Sequence, residues 1–169
     1  MKNITKNGLP YKRKREGKTS YQKRLTYLKS GFTRVVIRRS LKNIVVQFVN
    51  FEPDGDKIIL TTSSRELEKN YNLKGSRKNL PAGYLTGLLA GKKAAGLKIK
   101  SATPDLGVRK AHKKGVIFAV LKGLIDSGIN IPHEEVSEEK SVFPDEERLK
   151  GEFVKNKQNY GEIKSKIIK

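Results

Sequence analysis

The residues of this sequence that could do chemistry are mainly cations, and they are densest in one stretch, Tyr11–Leu25 (YKRKREGKTSYQKRL). Seven Lys or Arg side chains stand there against a single acid, Glu16, and two tyrosines lie among them. Cations this dense repel one another in a free chain, and they gain most when a polyanion neutralises them, because binding to phosphates releases condensed counterions. The stretch is therefore either an arm that binds nucleic acid or a solvated tail.

A second group of cations lies in the segment Gly107–Gly115 (GVRKAHKKG). It follows a predicted strand, so its four Lys and Arg side chains would lie in a loop at a strand end. Arg can pair bidentately with phosphate and Lys acts as a point charge, while Tyr11 and Tyr21 offer ring faces on which unpaired bases stack. RNA uses such stacking more than duplex DNA does, which favours RNA modestly.

The residue patterns of common enzyme classes are weak. Gly87–Lys93 has three residues between its glycines, where a phosphate-binding loop needs four. The interiors of the predicted central strands contain no Asp or Glu, which argues against a two-metal nuclease. His112 lies among four cations and His133 follows Pro132, and neither has a partner for general-base catalysis nearby in the sequence. We therefore assign no catalytic residue, metal site or cofactor.

Composition limits the classes that remain. The chain has 169 residues, a formal charge of +20 and no cysteine, which fits one domain with tails in a reducing compartment. No apolar run approaches the roughly 18 residues of a membrane span, and the apolar region of a secretory signal is missing. We expect a soluble, cytoplasmic protein. Residues 1–40 carry a net charge of +12 and residues 131–151 carry −4, so the anion-binding end should be N-terminal.

The elements that must position these cations follow from periodicity. Residues 1–18 show no period and predict an extended arm that becomes ordered on a partner. Thr19–Gln22 matches a capping box, and Tyr21, Leu25 and Leu28 then mark one face of a short helix. A period of two follows and predicts three strands in an antiparallel meander, at 34–39, 44–51 and 57–61.

The rest of the chain alternates helices with one more strand. A capping box at Ser63–Glu66 begins a short helix, and Asn79 caps a longer helix that ends near Gly96. Glycines at 83, 87 and 91 form a stripe along the longer helix. We expect this stripe to pack closely on the sheet, and direct contact with RNA is the less favoured alternative. Further predictions are a strand at 98–106, helices at 116–128 and after Pro144, and a mobile basic tail. The domain division is an arm at 1–18, one α/β domain at 19–131, and an acidic extension with the tail at 132–169.

Five stretches of the chain, in order and at comparable spacing, resemble one family. They are YKRKREGKTSYQKRL, SSREL at 63–67, NLPAGYLTGLLAGKKA at 79–94, FAVLKGLIDSGINIPHEE at 118–135 and FPDEERLKGE at 143–152. Together they resemble large-subunit ribosomal protein L eighteen in its archaeal and eukaryotic form. The tail after Glu152 is short and unlike the long eukaryotic extension, so an archaeal-type ribosome is the expected setting.

The resemblance implies an α/β fold with a mixed sheet, in which a three-stranded antiparallel meander and a further strand are packed by helices in a ribonuclease-H-like arrangement without catalysis. It implies a structural protein that binds 5S rRNA and bridges it to the large-subunit (23S-type) rRNA in the central protuberance. Neighbouring ribosomal proteins such as protein L five are implied partners, with no cofactor, metal, membrane or small-molecule substrate.

In this family the basic arm, the first helix, the basic residues on the sheet and the loop before the last long helix face RNA. The matching RNA-binding positions in this sequence are Lys12, Arg13, Lys14, Arg15, Lys18, Tyr21, Lys23, Arg24, Arg34, Arg38, Arg39, Lys42, Arg109, Lys110, His112, Lys113 and Lys114.

Two other functions stay open on the residues alone. One is an RNA-processing enzyme on a ribonuclease-H-like scaffold, which would require turnover that depends on a divalent ion. The other is a non-specific nucleic-acid-compacting protein, which would bind duplex DNA as well as it binds structured RNA.

Overall fold

A mixed four-stranded sheet organises the chain in a computed structural model that describes residues 8–108, 111–133, 141–151 and 159–168. In chain order the elements are α1 (Lys12–Arg15), α2 (Tyr21–Lys29), β1 (Arg34–Arg39), β2 (Ile44–Glu52), β3 (Gly55–Ser63), α3 (Ser64–Tyr71), α4 (Leu80–Gly96), β4 (Thr103–Asp105), α5 (Val116–Asp126), α6 (Glu146–Lys150) and α7 (Tyr160–Ile168). In the described part of the chain, none of these helices is long and apolar enough to cross a lipid bilayer.

The strand order is β3-β2-β1-β4, with β1, β2 and β3 joined as an antiparallel meander and β4 added parallel to β1. The α/β fold with a meander and one further strand is thereby confirmed. β4 is shorter than the predicted strand at 98–106. The residues before Thr103 instead close the C-terminal end of α4 and pair with Asn130, as in the isolated bridge from Ser101.

The main core lies on one face of the sheet. Alternate strand residues, among them Val35, Ile37, Val46 and Phe48, are fully or almost fully buried there against α4 and α5. Because side chains alternate along a strand, the residues between them, including Arg34, face the opposite side. The sheet therefore has one face for the core and one face on which polar and charged side chains must find other partners.

The glycine stripe of α4 packs on a helix and not on the sheet. A Cβ at Gly87 would overlap the backbone carbonyl of Val120 in α5, and a Cβ at Gly123 in α5 would overlap the carbonyl of Tyr84 in α4. The two backbones thus approach each other through reciprocal glycines, which compensates for the lower helix propensity of glycine. The alternative of direct RNA contact does not apply to Gly87, which is buried in this crossing.

The C-terminal segment differs from the predicted mobile tail. Residues 160–168 form α7, in which Tyr160, Ile163 and Ile167 are buried in a second apolar cluster with Leu67, Leu85 and other residues of α3 and α4. Their spacing places all three on one helical face. Burial of that apolar face holds α7 on the rest of the molecule, although lysines lie between the three residues. The helix predicted after Pro144 is confirmed as α6.

Candidate nucleic-acid interface

The basic arm folds back onto the start of α2. Residues Lys12–Arg15 form the single turn α1, and the rings of Tyr11 and Tyr21 lie 5.5 Å apart between centroids at an interplanar angle of 57°. Arg13 Nε donates a hydrogen bond of 2.9 Å to Thr19 Oγ1. These contacts fix the arm while leaving Lys12, Lys14 and Arg15 exposed, with no ion pair to any described residue.

The cap of α2 is Ser20, one residue after the predicted Thr19. Ser20 has extended dihedral angles and its hydroxyl accepts from the backbone N–H of Lys23 at 3.5 Å. The Thr19 hydroxyl is already used as the acceptor for Arg13. The T-x-x-Q pattern therefore predicted the helix correctly but placed its N-cap one residue too early. The hydroxyl of either Thr19 or Ser20 could accept from the first free backbone amides of the helix.

A chain of ion pairs holds α2 on the open face of the sheet. Both Nη atoms of Arg24 donate to the carboxylate of Asp56 at 2.8 Å. Asp56 Oδ1 also lies 2.8 Å from Nη2 of Arg34, an ion pair rather than a straight hydrogen bond, and Nη1 of Arg34 donates to Asp105 at 3.2 Å. Four separate parts of the chain, α2, β1, the β2–β3 hairpin and β4, are therefore joined through charged groups.

These contacts change the proton affinities of the groups involved. The hydrogen bonds from Arg24, followed by the contact with Arg34, hold the pKa of Asp56 below its usual value of 3.8 against the opposing effect of burial. The same hydrogen bonds, which the carboxylate of Asp56 accepts, raise the pKa of Arg24. Both ions are thus held in their charged forms.

Arg34 occupies a different place from the other predicted RNA-binding cations. Its side chain is 4% exposed and lies between the carboxylates of Asp56 and Asp105. A guanidinium so enclosed has no surface to offer a phosphate, and its charge is needed where it is because two acids meet there. We assign Arg34 to positioning α2 and leave it out of the proposed RNA surface.

A second set of cations lies at the other end of β1. Arg38 and Arg39 end the strand and Lys42 lies in the short connection to β2, all of them exposed. Because β4 runs parallel to β1, the loop that follows β4 leaves the sheet at this same end. It carries the exposed side chains of His112 and Lys113. Two basic segments that are about 70 residues apart in sequence therefore lie toward the same end of the sheet.

Lys114 and its neighbours complete this second set. Lys114 Nζ lies 3.1 Å from Asp145 at the start of α6, and its backbone N–H donates to the carbonyl of Val142 at 2.8 Å. Its charge is thus shared with an acid, whereas the side chains of His112 and Lys113 are exposed to solvent. The predicted Arg109 and Lys110 lie outside the described residues.

The exposed cations among the predicted RNA-binding residues consequently form two groups, one on α1 and α2 and one at the end of β1. Lys18 is paired with Glu16 at 2.8 Å, while Lys23 is exposed without an ion pair to any described residue. Asp56, which holds α2 on the sheet through Arg24, was missed in the sequence, since this pairing depends on a strand register that charge counts do not predict.

Another cluster of titratable groups, around Tyr84, holds α7 to the rest of the molecule. The Tyr84 hydroxyl donates to Asp126 at 2.7 Å, the Tyr160 ring lies 5.8 Å away and Lys164 Nζ lies over the Tyr84 ring at 5.3 Å. Burial raises the pKa of Tyr84, and raises that of Tyr160 to about 12. The cavity beside them measures about 40 Å³, which is too small for a nucleotide, so the cluster is structural.

The fold and its surface define a class: an α/β domain whose exposed chemistry is cationic. Comparison with known proteins gives the family. Residues 6–103 match the family model described as ribosomal large subunit proteins 60S L5, and 50S L18. The large ribosomal subunit protein uL18 of Methanococcus maripaludis is 45% identical over 148 residues, which cover 88% of this chain and 74% of the relative.

The chain therefore belongs to the L5/L18 family of large-subunit ribosomal proteins. The resemblance read from the sequence is confirmed, including its archaeal type. The protein is a structural constituent of the large ribosomal subunit and not an enzyme, and its partners are ribosomal RNA and ribosomal proteins.

Proposed function

We propose that this chain binds 5S rRNA and bridges it to the large-subunit rRNA in the central protuberance, beside ribosomal proteins such as protein L five. The observation that supports the proposal is that the exposed cations among the predicted RNA-binding residues form two groups, one on α1 and α2 and one at the end of β1. Two such groups can contact two separate RNA segments, whereas a single patch would favour one. Family membership makes ribosomal RNA the relevant polyanion.

The group on α1 and α2 makes the first contact. Lys12, Lys14, Arg15 and Lys23 are exposed on adjoining elements, and they neutralise backbone phosphates by releasing condensed counterions. Tyr11, which is 45% exposed, presents part of its ring beside them for an unpaired base. Arg24 contributes chiefly by holding α2 on the sheet through Asp56.

The group at the end of β1 makes the second contact. Arg38, Arg39, Lys42 and Lys113 supply exposed charge there, and His112 supplies an exposed imidazole ring. The guanidinium groups of the two arginines can bind phosphate bidentately. With Arg109 and Lys110, which the sequence adds to the same loop, this group forms the second half of the RNA surface.

Equilibrium binding to 5S rRNA tests the proposal. We expect nanomolar-range affinity with a steep salt dependence, and weaker binding to an unrelated structured RNA of the same length. Equal affinity for both RNAs, or for duplex DNA, would instead favour non-specific nucleic-acid compaction. Crosslinking in intact large subunits tests the bridge, since the two groups should crosslink to different rRNA molecules.

A further inference from the structure

An open cavity lies at the end of the sheet where β1 and β4 begin, and none of the residues of the two cationic groups lines it. It is a depression open to solvent and measures about 410 Å³. Its walls include Phe32 before β1, Ile59 of β3 and Leu97 after α4. These three side chains are 58%, 38% and 51% exposed, so the cavity presents apolar and aromatic surface to solvent.

The polar side chains of this cavity could bind the phosphates and the base edge of a nucleotide. Lys98 and Lys100 both line it, and none of the described residues that line it is acidic. Asn50 also lines it, and Thr33 donates to Asn50 Oδ1 at 2.8 Å. That contact leaves the amide group of Asn50 to donate to a base edge.

Lys98 occupies a position where glycine is expected. The backbone N–H of Ile99 donates to the carbonyl of Ala94, and that of Lys98 to the carbonyl of Ala95, at 3.1 and 2.9 Å. This is the Schellman pattern that ends α4, and Lys98 is its left-handed residue, with a φ of 59°. Most helices place glycine there because a side chain is strained at this φ. A lysine at this strained position is what a requirement for a positive charge here would produce.

The cavity is continuous with the surface already assigned to RNA. Gly31, which directly follows the end of α2, lines it. α2 has nine residues and is therefore about 13 Å long. An RNA strand that contacts Lys23 at one end of α2 can reach the cavity at the other end.

We propose that this cavity binds one unpaired RNA nucleotide, with its base against Phe32, Ile59 and Leu97 and its flanking phosphates at Lys98 and Lys100. The inference rests on the proposed function and extends it to residues outside the two cationic groups. The nucleotide is a base splayed from a loop or bulge, because a paired base has no free face to stack. Its source is either 5S rRNA or large-subunit rRNA, which share this chemistry.

Two substitutions in the full chain separate stacking from charge. Phe32→Leu keeps an apolar side chain but removes the ring, and we expect it to weaken binding to the relevant RNA about fivefold or more with an unchanged salt dependence. Lys98→Gly removes the charge and also relieves the positive φ. We expect it to lower the slope of log affinity against log salt by about 0.7, while the melting temperature stays equal or rises.

Each variant has a matched control elsewhere in the chain. Phe51→Leu changes a phenylalanine that is 54% exposed and does not line the cavity. Asn72→Gly relieves a positive φ of 52° without removing a charge. Both controls should bind RNA as the unsubstituted chain does.

The measurement is titration of each variant with deproteinised 5S rRNA and, separately, with deproteinised large-subunit rRNA, together with ultraviolet crosslinking in intact large subunits. Loss of affinity for one RNA, with a crosslink from residues 31–33 or 97–101 to that RNA, supports the proposal and identifies the source. Unchanged affinity for both RNAs overturns it, as does a crosslink from these residues to a ribosomal protein alone. An unsubstituted chain without preference for 5S rRNA would contradict the proposed function instead.

Discussion

Asp56 binds two guanidinium groups that belong to different parts of the chain, and this single carboxylate decides where α2 lies. Arg24 reaches it from α2 through two hydrogen bonds of 2.8 Å, and the buried Arg34 reaches it from β1. These ion pairs stabilise the fold only when all partners are present. A buried arginine that loses a partner still carries the free-energy cost of its desolvation.

Asp56→Asn should lower the free energy of unfolding at neutral pH by about 2–3 kcal/mol. Because the pKa of Asp56 is lowered in the folded protein, its contribution is present above the usual value of 3.8 and is lost as the pH falls below it. The difference between the variant and the unsubstituted chain should therefore shrink in acid. Urea unfolding at a series of pH values measures it.

Asp54→Asn is the matched control, since Asp54 lies in the same hairpin, is exposed and forms no ion pair with a described residue. It should change the unfolding free energy by less than about 0.5 kcal/mol. A pH-independent effect of Asp56→Asn would mean that the network contributes through packing and not through charge.

The cations were predictable as a class, because charge density is a local property of the sequence. The role of Arg34 was not, because Asp56 and Asp105 come next to it only through the register of β1 with its neighbours. Lys98 was missed for a related reason. Its significance lies in a left-handed backbone conformation, which no local pattern of charge indicates.

At the scale of elements, the crossing of α4 and α5 limits which side chains these helices can carry. Gly87→Ala would ordinarily favour a helix, but here the new methyl group meets the carbonyl of Val120. We expect the free energy of unfolding to fall by about 3 kcal/mol. Thermal and urea unfolding monitored by circular dichroism test this expectation.

Gly96→Ala, in the same helix, provides the control. A Cβ there would have no described neighbour within 4 Å, so the substitution should stabilise the protein by about 0.5–1 kcal/mol through helix propensity. If both substitutions were stabilising, the two helices would not be packed as closely as this crossing requires.

α7 contributes to the core although its composition is basic. Ile163→Ala should lower the free energy of unfolding by about 2–5 kcal/mol, because Ile163 is fully buried. Ile168→Ala, at a position 56% exposed, should change it by less than about 0.5 kcal/mol. Equal effects of the two substitutions in urea unfolding would contradict the packing of α7 on α4.

The meander, α3, α4 and α5 were predictable from period and capping residues, which are local signals. α7 was missed because the C-terminal segment as a whole is rich in lysine, although the spacing of Tyr160, Ile163 and Ile167 carried a helical signal. The partner of the glycine stripe was not predictable. A smooth helix face indicates close approach, but only the tertiary structure decides whether a sheet or another helix approaches.

For the whole molecule, the position of the charges should matter more than their sum. Replacing Lys12, Arg13, Lys14 and Arg15 with Gln should reduce the slope of log affinity against log salt for 5S rRNA by about 3. Titrations of 5S rRNA over a range of salt concentrations measure this slope.

The matched control replaces four other exposed lysines, Lys69, Lys74, Lys78 and Lys166, with Gln. It lowers the formal charge of +20 by the same four units but lies outside the proposed surface, so the slope should hardly change. A similar decrease of the slope in both variants would indicate that RNA binding depends on the net charge and not on the position of the two groups.

The burial of α7 among residues of α3 and α4 also has a consequence for biosynthesis. Tyr160, Ile163 and Ile167 are translated well after Leu67 and Leu85, which they cover. At ordinary elongation rates this interval lasts about 4 to 20 s. During it the nascent chain exposes its basic arm together with an uncovered apolar cluster, a combination that invites misassociation with cellular RNA. Protection of the nascent chain, by a chaperone that covers this cluster, would then be needed before assembly begins.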